Sequence, residues 1–159
     1  MQEMIKQALF HVLGDVSGLA TLDLFAGSGQ LGIESLSRGA TFVAFVEKER
    51  RNADHIRAAL KDLDVSAVAA RVLALDALRY LGQTGSAFDL VFMDPPYEEN
   101  LLDPTVQAIA EHATILAPGG RLVVRHTKHE PLGQDCPASF ESEFTRSYGD
   151  DIVRIWRKK

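Results

Sequence analysis

The tetrapeptide Asp94-Pro95-Pro96-Tyr97 brings together groups that can activate a weak nitrogen nucleophile. An exocyclic amine on a nucleic-acid base is a poor nucleophile because its lone pair is delocalised into the ring. A carboxylate and a fixed backbone carbonyl that accept its two N–H groups favour the pyramidal, more nucleophilic form. Asp94 and the carbonyl of Pro95 are expected to do this. Proline lacks an N–H and has a restricted φ, so Pro95-Pro96 holds that carbonyl with little ordering cost during reaction. Tyr97 offers a ring on which a base can stack, a contact of about 1–3 kcal/mol. Asp94, Pro95, Pro96 and Tyr97 are therefore the catalytic candidates, and an ordinary loop start is the structural alternative.

A second constellation points to the donor. Gly27-Ser28-Gly29-Gln30-Leu31-Gly32 has the glycine spacing of a dinucleotide-binding loop and lies between a predicted strand and a predicted helix. Glu47, 20 residues after Gly27, is placed to accept hydrogen bonds from ribose hydroxyls. Together these read as a site for an adenosine-like molecule; the alternative is a tight turn with Glu47 capping the next helix. Asp23 puts a carboxylate just before the loop, where it would repel a pyrophosphate. It suits S-adenosylmethionine, which has no phosphate and carries cationic sulfonium and amino groups. Asp76 is expected to accept from the adenine amino group, with Ala77 supplying backbone contact, or else to cap a helix. Phe25 reads equally as a core residue or as cover for the cofactor edge. The cofactor-binding candidates are Asp23, Phe25, Ala26, Gly27, Ser28, Gly29, Glu47, Lys48, Asp76 and Ala77.

These residues need elements to position them. Met4, Ile5, Ala8, Leu9, Val12 and Leu13 repeat at helical spacing and predict a packing helix over residues 1–14, stopped by Gly14. Leu19 to Phe25 reads as a buried strand running into the glycine loop, and Leu31 to Leu36 as the helix after it. Thr41 to Val46 predicts a second strand and Lys48 to Leu63 a second helix. Further strands are expected at Arg71 to Ala74 and at Phe88 to Met93, the latter delivering the tetrapeptide. Leu101 to Leu116 predicts a helix, Pro118-Gly119-Gly120 a turn and Arg121 to Arg125 a fifth strand. Phe140 to Arg146 and Ile152 to Trp156 predict a closing hairpin packed by Phe140 and Trp156. Strands alternating with helices imply a mostly parallel α/β sheet covered on both faces.

The chain has 159 residues, 46% of them hydrophobic, which suits a single domain over residues 1–159. Its one cysteine, Cys136, has no intrachain disulfide partner, and its apolar runs fall short of the roughly 20 residues of a membrane span. No signal peptide is evident, so a cytoplasmic monomer without membrane attachment is expected. A net charge of -5 argues against nonspecific coating of nucleic acid, although Arg154 to Lys159 reads as either a phosphate contact or a solvated tail. His126, His129 and Cys136 match no tight ligand spacing, so no metal is expected. His11 and His55 are expected on helix surfaces.

The run Leu22 to Gly29, the segment Leu31 to Ala40, Val46-Glu47, Asp76 and Asp94-Pro95-Pro96-Tyr97 together closely resemble the bacterial 16S ribosomal RNA guanine-N2 methyltransferases. The resemblance covers nearly the whole chain. It implies a Rossmann-like class I methyltransferase fold of seven strands, S-adenosylmethionine as donor, and a guanine amino group of 16S rRNA, free or in the 30S particle, as acceptor. The tetrapeptide is shared with N6-adenine methyltransferases acting on DNA or RNA, and the extended Leu31 to Ala40 segment favours the ribosomal family. The resemblance also implies a basic arm ending in Arg-Pro-Thr, contacting RNA and helping to cover the cofactor, ahead of the helix at Ile5 to Leu13; the sequence starts at that helix. A cofactor-binding scaffold without activity is the alternative this raises. Arg125 and His126 stand where an acidic strand ending is expected.

Overall fold

Two periodicities build the molecule: alternation along the strands, and three-to-four spacing along the helices that cover them. The computed structural model describes residues 1–159. Its elements are α1 (Glu3–Leu13), β1 (Ala20–Leu24), α2 (Gln30–Ser37), β2 (Phe42–Val46), α3 (Arg50–Asp62), β3 (Ala70–Leu73), α4 (Ala77–Gln83), β4 (Phe88–Met93), α5 (Leu102–Glu111), β5 (Leu116–Thr127), β6 (Phe140–Tyr148) and β7 (Asp151–Lys158). The seven strands form one sheet in the order β3-β2-β1-β4-β5-β7-β6. The first five run parallel, while β7 pairs antiparallel with both β5 and β6. This is the Rossmann-like methyltransferase architecture with a C-terminal antiparallel hairpin.

Alternate side chains of the strands feed two faces. Leu22, Leu24, Val91, Met93, Leu122 and Val124 pack under α4 and α5. Leu90, Phe92, Val123 and Ile155 meet α1, while Val43 and Phe45 meet Ile56 and Leu60 of α3. Trp156 is 1% exposed and lies 6.3 Å from the Phe140 ring, so the hairpin is bolted into the core. The order of the central strands reverses between β1 and β4. The crevice beyond their carboxyl ends is where open α/β sheets bind ligands.

Several expectations need correction. The helix predicted to reach Leu116 stops at Glu111, because the Ile115 carbonyl accepts the Phe88 N–H at 2.9 Å and Leu116 already pairs with β4. Pro118-Gly119-Gly120 is no connecting turn but a bulge inside β5, with Gly119 at φ 76 and a register shift opposite Phe88 and Leu90. The third strand sits one residue earlier than expected, at Ala70–Leu73. The helix that a cap at Asp76 implies is α4, which starts at Ala77 as that reading has it.

Arg154 to Lys159 is not a solvated tail. Most of it belongs to β7, an interior strand, and Lys158 Nζ donates to the carbonyls of Ala113 and Leu116 at 2.7 and 2.8 Å. Those carbonyls border the β5 bulge, so a side chain closes what backbone pairing leaves open. No helix is long and apolar enough to cross a membrane.

Candidate active site

The tetrapeptide leaves β4 at the carboxyl edge of the sheet, next to the loop that leaves β1. Three cavities meet there, and Asp94 lines all of them. One, of about 300 Å³, runs from Phe25 and Gly27 past Glu47 and Lys48 to Asp76 and Ala77. A smaller one, of about 130 Å³, holds Asp23, Ala26 and Ser28. The third, of about 310 Å³, is lined by the tetrapeptide together with Arg125, His126 and Glu130. Of the predicted residues only Gly29 faces none of them. It caps α2 at φ 81, donating its N–H to Ala26 at 2.8 Å, and a Cβ there would press on Ile56 at 3.1 Å.

The loop geometry follows from its residues. Phe25 holds φ 56, unusual for an aromatic residue, where the chain turns out of β1. Gly27 takes φ 59 at no steric cost, and a Cβ there would meet nothing within 4 Å. Its backbone therefore stands open to a ligand, as a phosphate-free cofactor cradle requires. Phe25 serves both of its readings, packing against the core and lining the cavities.

Asp23 is 2% exposed, and its Oδ2 accepts the Gly32 N–H at 3.0 Å across the loop. Burial pushes its carboxyl up to about 8, against that hydrogen bond, with Asp94 and Glu47 adding like charge. The raised value lies above the ordinary 3.8, so the folded chain binds the extra proton. The stabilisation from Asp23 is thus complete below about pH 4 and is lost as pH rises through about 8.

Glu47 follows the last residue of β2, is 8% exposed, and its carboxyl is likewise raised by burial, against hydrogen bonds from Glu49, Gly27 and Asn52. Asp76 caps α4 through Oδ2, which accepts the Arg79 N–H at 2.9 Å. Its other oxygen stays available to the cavity, so the cap and a ligand contact are compatible. Lys48 pairs with Glu99 at 3.1 Å, closing the outer end of the same cavity.

At the chemical centre, Asp94 is paired rather than free. Arg125 Nη1 donates to both Asp94 oxygens at 3.0 Å, and Nη2 donates to Asp151 at 2.9 Å. Burial raises the Asp94 carboxyl, and the Arg125 guanidinium opposes that rise. No backbone N–H donates to the Pro95 carbonyl, which is left with unused acceptor capacity. Tyr97 is 51% exposed, so its ring is accessible from outside.

Arg125 and His126 had no assigned role in the sequence, yet a signal existed. Met93 and Val124 are register partners, so Asp94 and Arg125 must emerge side by side. His126 is 7% exposed: burial lowers its pKa, Nδ1 reaches the Thr127 and Glu130 carbonyls, and Nε2 accepts from Arg154. Asn52, Glu99 and Glu130 also line the site and were not foreseen.

A family model described as conserved hypothetical protein 95 matches residues 1–157. Ribosomal RNA small subunit methyltransferase D of Haemophilus influenzae is 34% identical over 133 residues, which is 82% of this chain and 68% of that relative. The protein of the same name from Escherichia coli K12 is 35% identical over 112 residues, 69% of this chain and 55% of the relative. Among solved structures, a candidate methyltransferase from Escherichia coli superimposes with a TM-score of 0.91 at 28% identity, covering 99% of this chain and 88% of that one. A candidate methylase from Haemophilus influenzae gives 0.86 at 31% identity, covering 98% and 97%.

Proposed function

This chain belongs to the conserved hypothetical protein 95 family, and from that premise we propose that it transfers methyl from S-adenosylmethionine to the exocyclic N2 amine of a guanine in small-subunit ribosomal RNA. The observation that carries the reading is the junction at Asp94: a carboxylate shared by the cavity that runs from Gly27 past Glu47 to Asp76 and by the cavity that the tetrapeptide lines. When bound, S-adenosylmethionine supplies an electrophilic methyl on a sulfonium. Glu47 would hold its ribose, Asp76 and Ala77 its adenine, and Asp23 its cationic end.

The residues around the acceptor do the rest. Asp94 and the Pro95 carbonyl accept the two amine N–H groups and draw the lone pair out of the ring. The amine would take the methyl group from the sulfonium, and Asp94 is placed to receive the N–H proton released and pass it to solvent. The Arg125 guanidinium opposes the rise that burial gives the Asp94 carboxyl, and Tyr97 stacks on the base.

Labelled methyl from S-adenosylmethionine is expected to appear as N2-methylguanine in 16S rRNA or 30S particles taken from cells lacking this gene. Label found only in adenine, or only in DNA, would overturn the acceptor assignment. Mass spectrometry of rRNA nucleosides from cells with and without the gene checks the same point in vivo.

The state of Asp23 gives an independent check on the donor. A cation placed beside it favours the ionised carboxylate, so cofactor uptake below about pH 8 should release protons. At about pH 6.5, where an α-amino group is still charged, release should approach one proton per site. Calorimetry in buffers of different ionisation enthalpy measures it. Asp23→Asn should abolish the buffer dependence; equal enthalpies for the wild type in all buffers would show that Asp23 does not meet the cation.

A further inference from the structure

The third cavity has an unusual balance of hydrogen-bonding groups. Its cation is already engaged: Arg125 donates to Asp94 and to Asp151. Both ring nitrogens of His126 are engaged as well. Thr127 and Tyr97 contribute neutral hydroxyls that can turn either way. The wall therefore offers mainly acceptors.

Glu130 is the acceptor with one carboxylate oxygen left uncommitted. Its Oε2 accepts the Glu98 N–H at 3.0 Å, which ties the strap after the tetrapeptide to the end of β5. Its own backbone carbonyl is held by His126 at 3.2 Å. Glu98 and Asn100 both sit at positive φ, 66 and 54, so the strap is bent to reach this anchor. Oε1 has no partner, and the half-buried side chain lines the same cavity as Asp94 and Pro95.

An acceptor-lined wall selects among bases by their edges. On the Watson–Crick edge of guanine the N2 amine stands beside N1–H, so these two neighbouring groups both donate. Adenine pairs its N6 amine with a bare N1, an acceptor that a carboxylate repels. Building on the guanine-N2 reading above, we propose that Glu130 is the residue that selects guanine, its Oε1 accepting N1–H while Asp94 and the Pro95 carbonyl hold the N2 amine. Glu130 thus determines specificity, and Asp94 carries the chemistry.

The test uses 16S rRNA assembled into 30S particles with the methylated guanine replaced by 2-aminopurine, which keeps the amine at position 2 and loses N1–H. Wild-type kcat/KM should fall about 10- to 100-fold on this substrate. In Glu130→Gln the amide oxygen keeps the Glu98 N–H and the NH2 faces the base, where it can donate to a bare N1 but not accept from N1–H, so the preference for guanine over 2-aminopurine should be lost. Glu130→Ala should lose most guanine turnover while its cofactor affinity matches the wild type.

Glu130→Gln discriminating as strongly as the wild type would overturn the assignment to Glu130, while wild-type N2-methylguanine would leave the acceptor reading standing. Wild-type enzyme that uses both substrates equally would overturn it too. Wild-type enzyme producing only N6-methyladenine would overturn both readings, and the nucleoside product tells the two failures apart.

Discussion

Asp94→Ala is expected to lower the methyl-transfer rate by about 10²- to 10⁴-fold, the usual range for losing a positioned acid–base group or an electrostatic stabiliser. The reasoning is geometric. Asp94 alone borders all three cavities, and its replacement leaves the Pro95 carbonyl to hold one N–H while the second goes unpaired. Arg125 would lose one of its two anions and keep Asp151 at 2.9 Å, so the fold should survive.

Asp94→Asn should be intermediate. Its amide oxygen can still accept, but its NH2 faces the Arg125 guanidinium, donor against donor. Single-turnover transfer from labelled cofactor measures the chemical step, and calorimetry should find cofactor affinity changed by less than about tenfold, because the lost interaction belongs to the acceptor. An alanine variant that kept a tenth or more of the rate would remove Asp94 from the chemistry.

Gly32→Ala should be the most damaging small change to the fold. A Cβ at Gly32 would overlap the ring of Phe45 and lie 2.9 Å from Val43 Cγ1. Phe45 and Val43 are both 0% exposed in the core under α3, so neither ring nor methyl has room to retreat. Helix α2 must then lift from the sheet, at a cost near the upper end of the roughly 1–3 kcal/mol seen for overpacking. Thermal unfolding should drop by roughly 5–10 °C.

Lifting α2 also moves the Gly32 N–H away from Asp23, so cofactor affinity should fall together with stability. Gly82→Ala is the matched control: the site lies in α4, has open space around a new Cβ, and should be neutral or stabilising by up to about 1 kcal/mol. Gly32→Ala melting with the wild type would show that the helix–sheet contact yields more easily than close packing implies.

Gly32 also illustrates how the fold was written in the chain. Its place in the glycine loop was plain from spacing alone, and its function as the point of closest approach between α2 and β2 follows once the loop lies between a strand and a helix. The run Phe88 to Met93 was legible to the residue, because six apolar-rich positions end in two prolines that no strand can continue through. The end of α5 was not legible. Apolar spacing continues to Leu116, and only the partner strand β4, distant in sequence, claims Ile115 and Leu116 for pairing.

Local rules thus determined the order of elements, the glycine cradle, and the delivery of Asp94-Pro95-Pro96-Tyr97 to a sheet edge, since each depends on backbone dihedrals and apolar periodicity within a few residues. Tertiary structure decided what those residues face. The Arg125 guanidinium on Asp94, the Glu130 carboxylate at the third cavity, the proton on buried Asp23 and the insertion of β7 between β5 and β6 all arise from strand order, register and desolvation. Those are properties of groups brought together from distant parts of the chain, and no local window of sequence contains them.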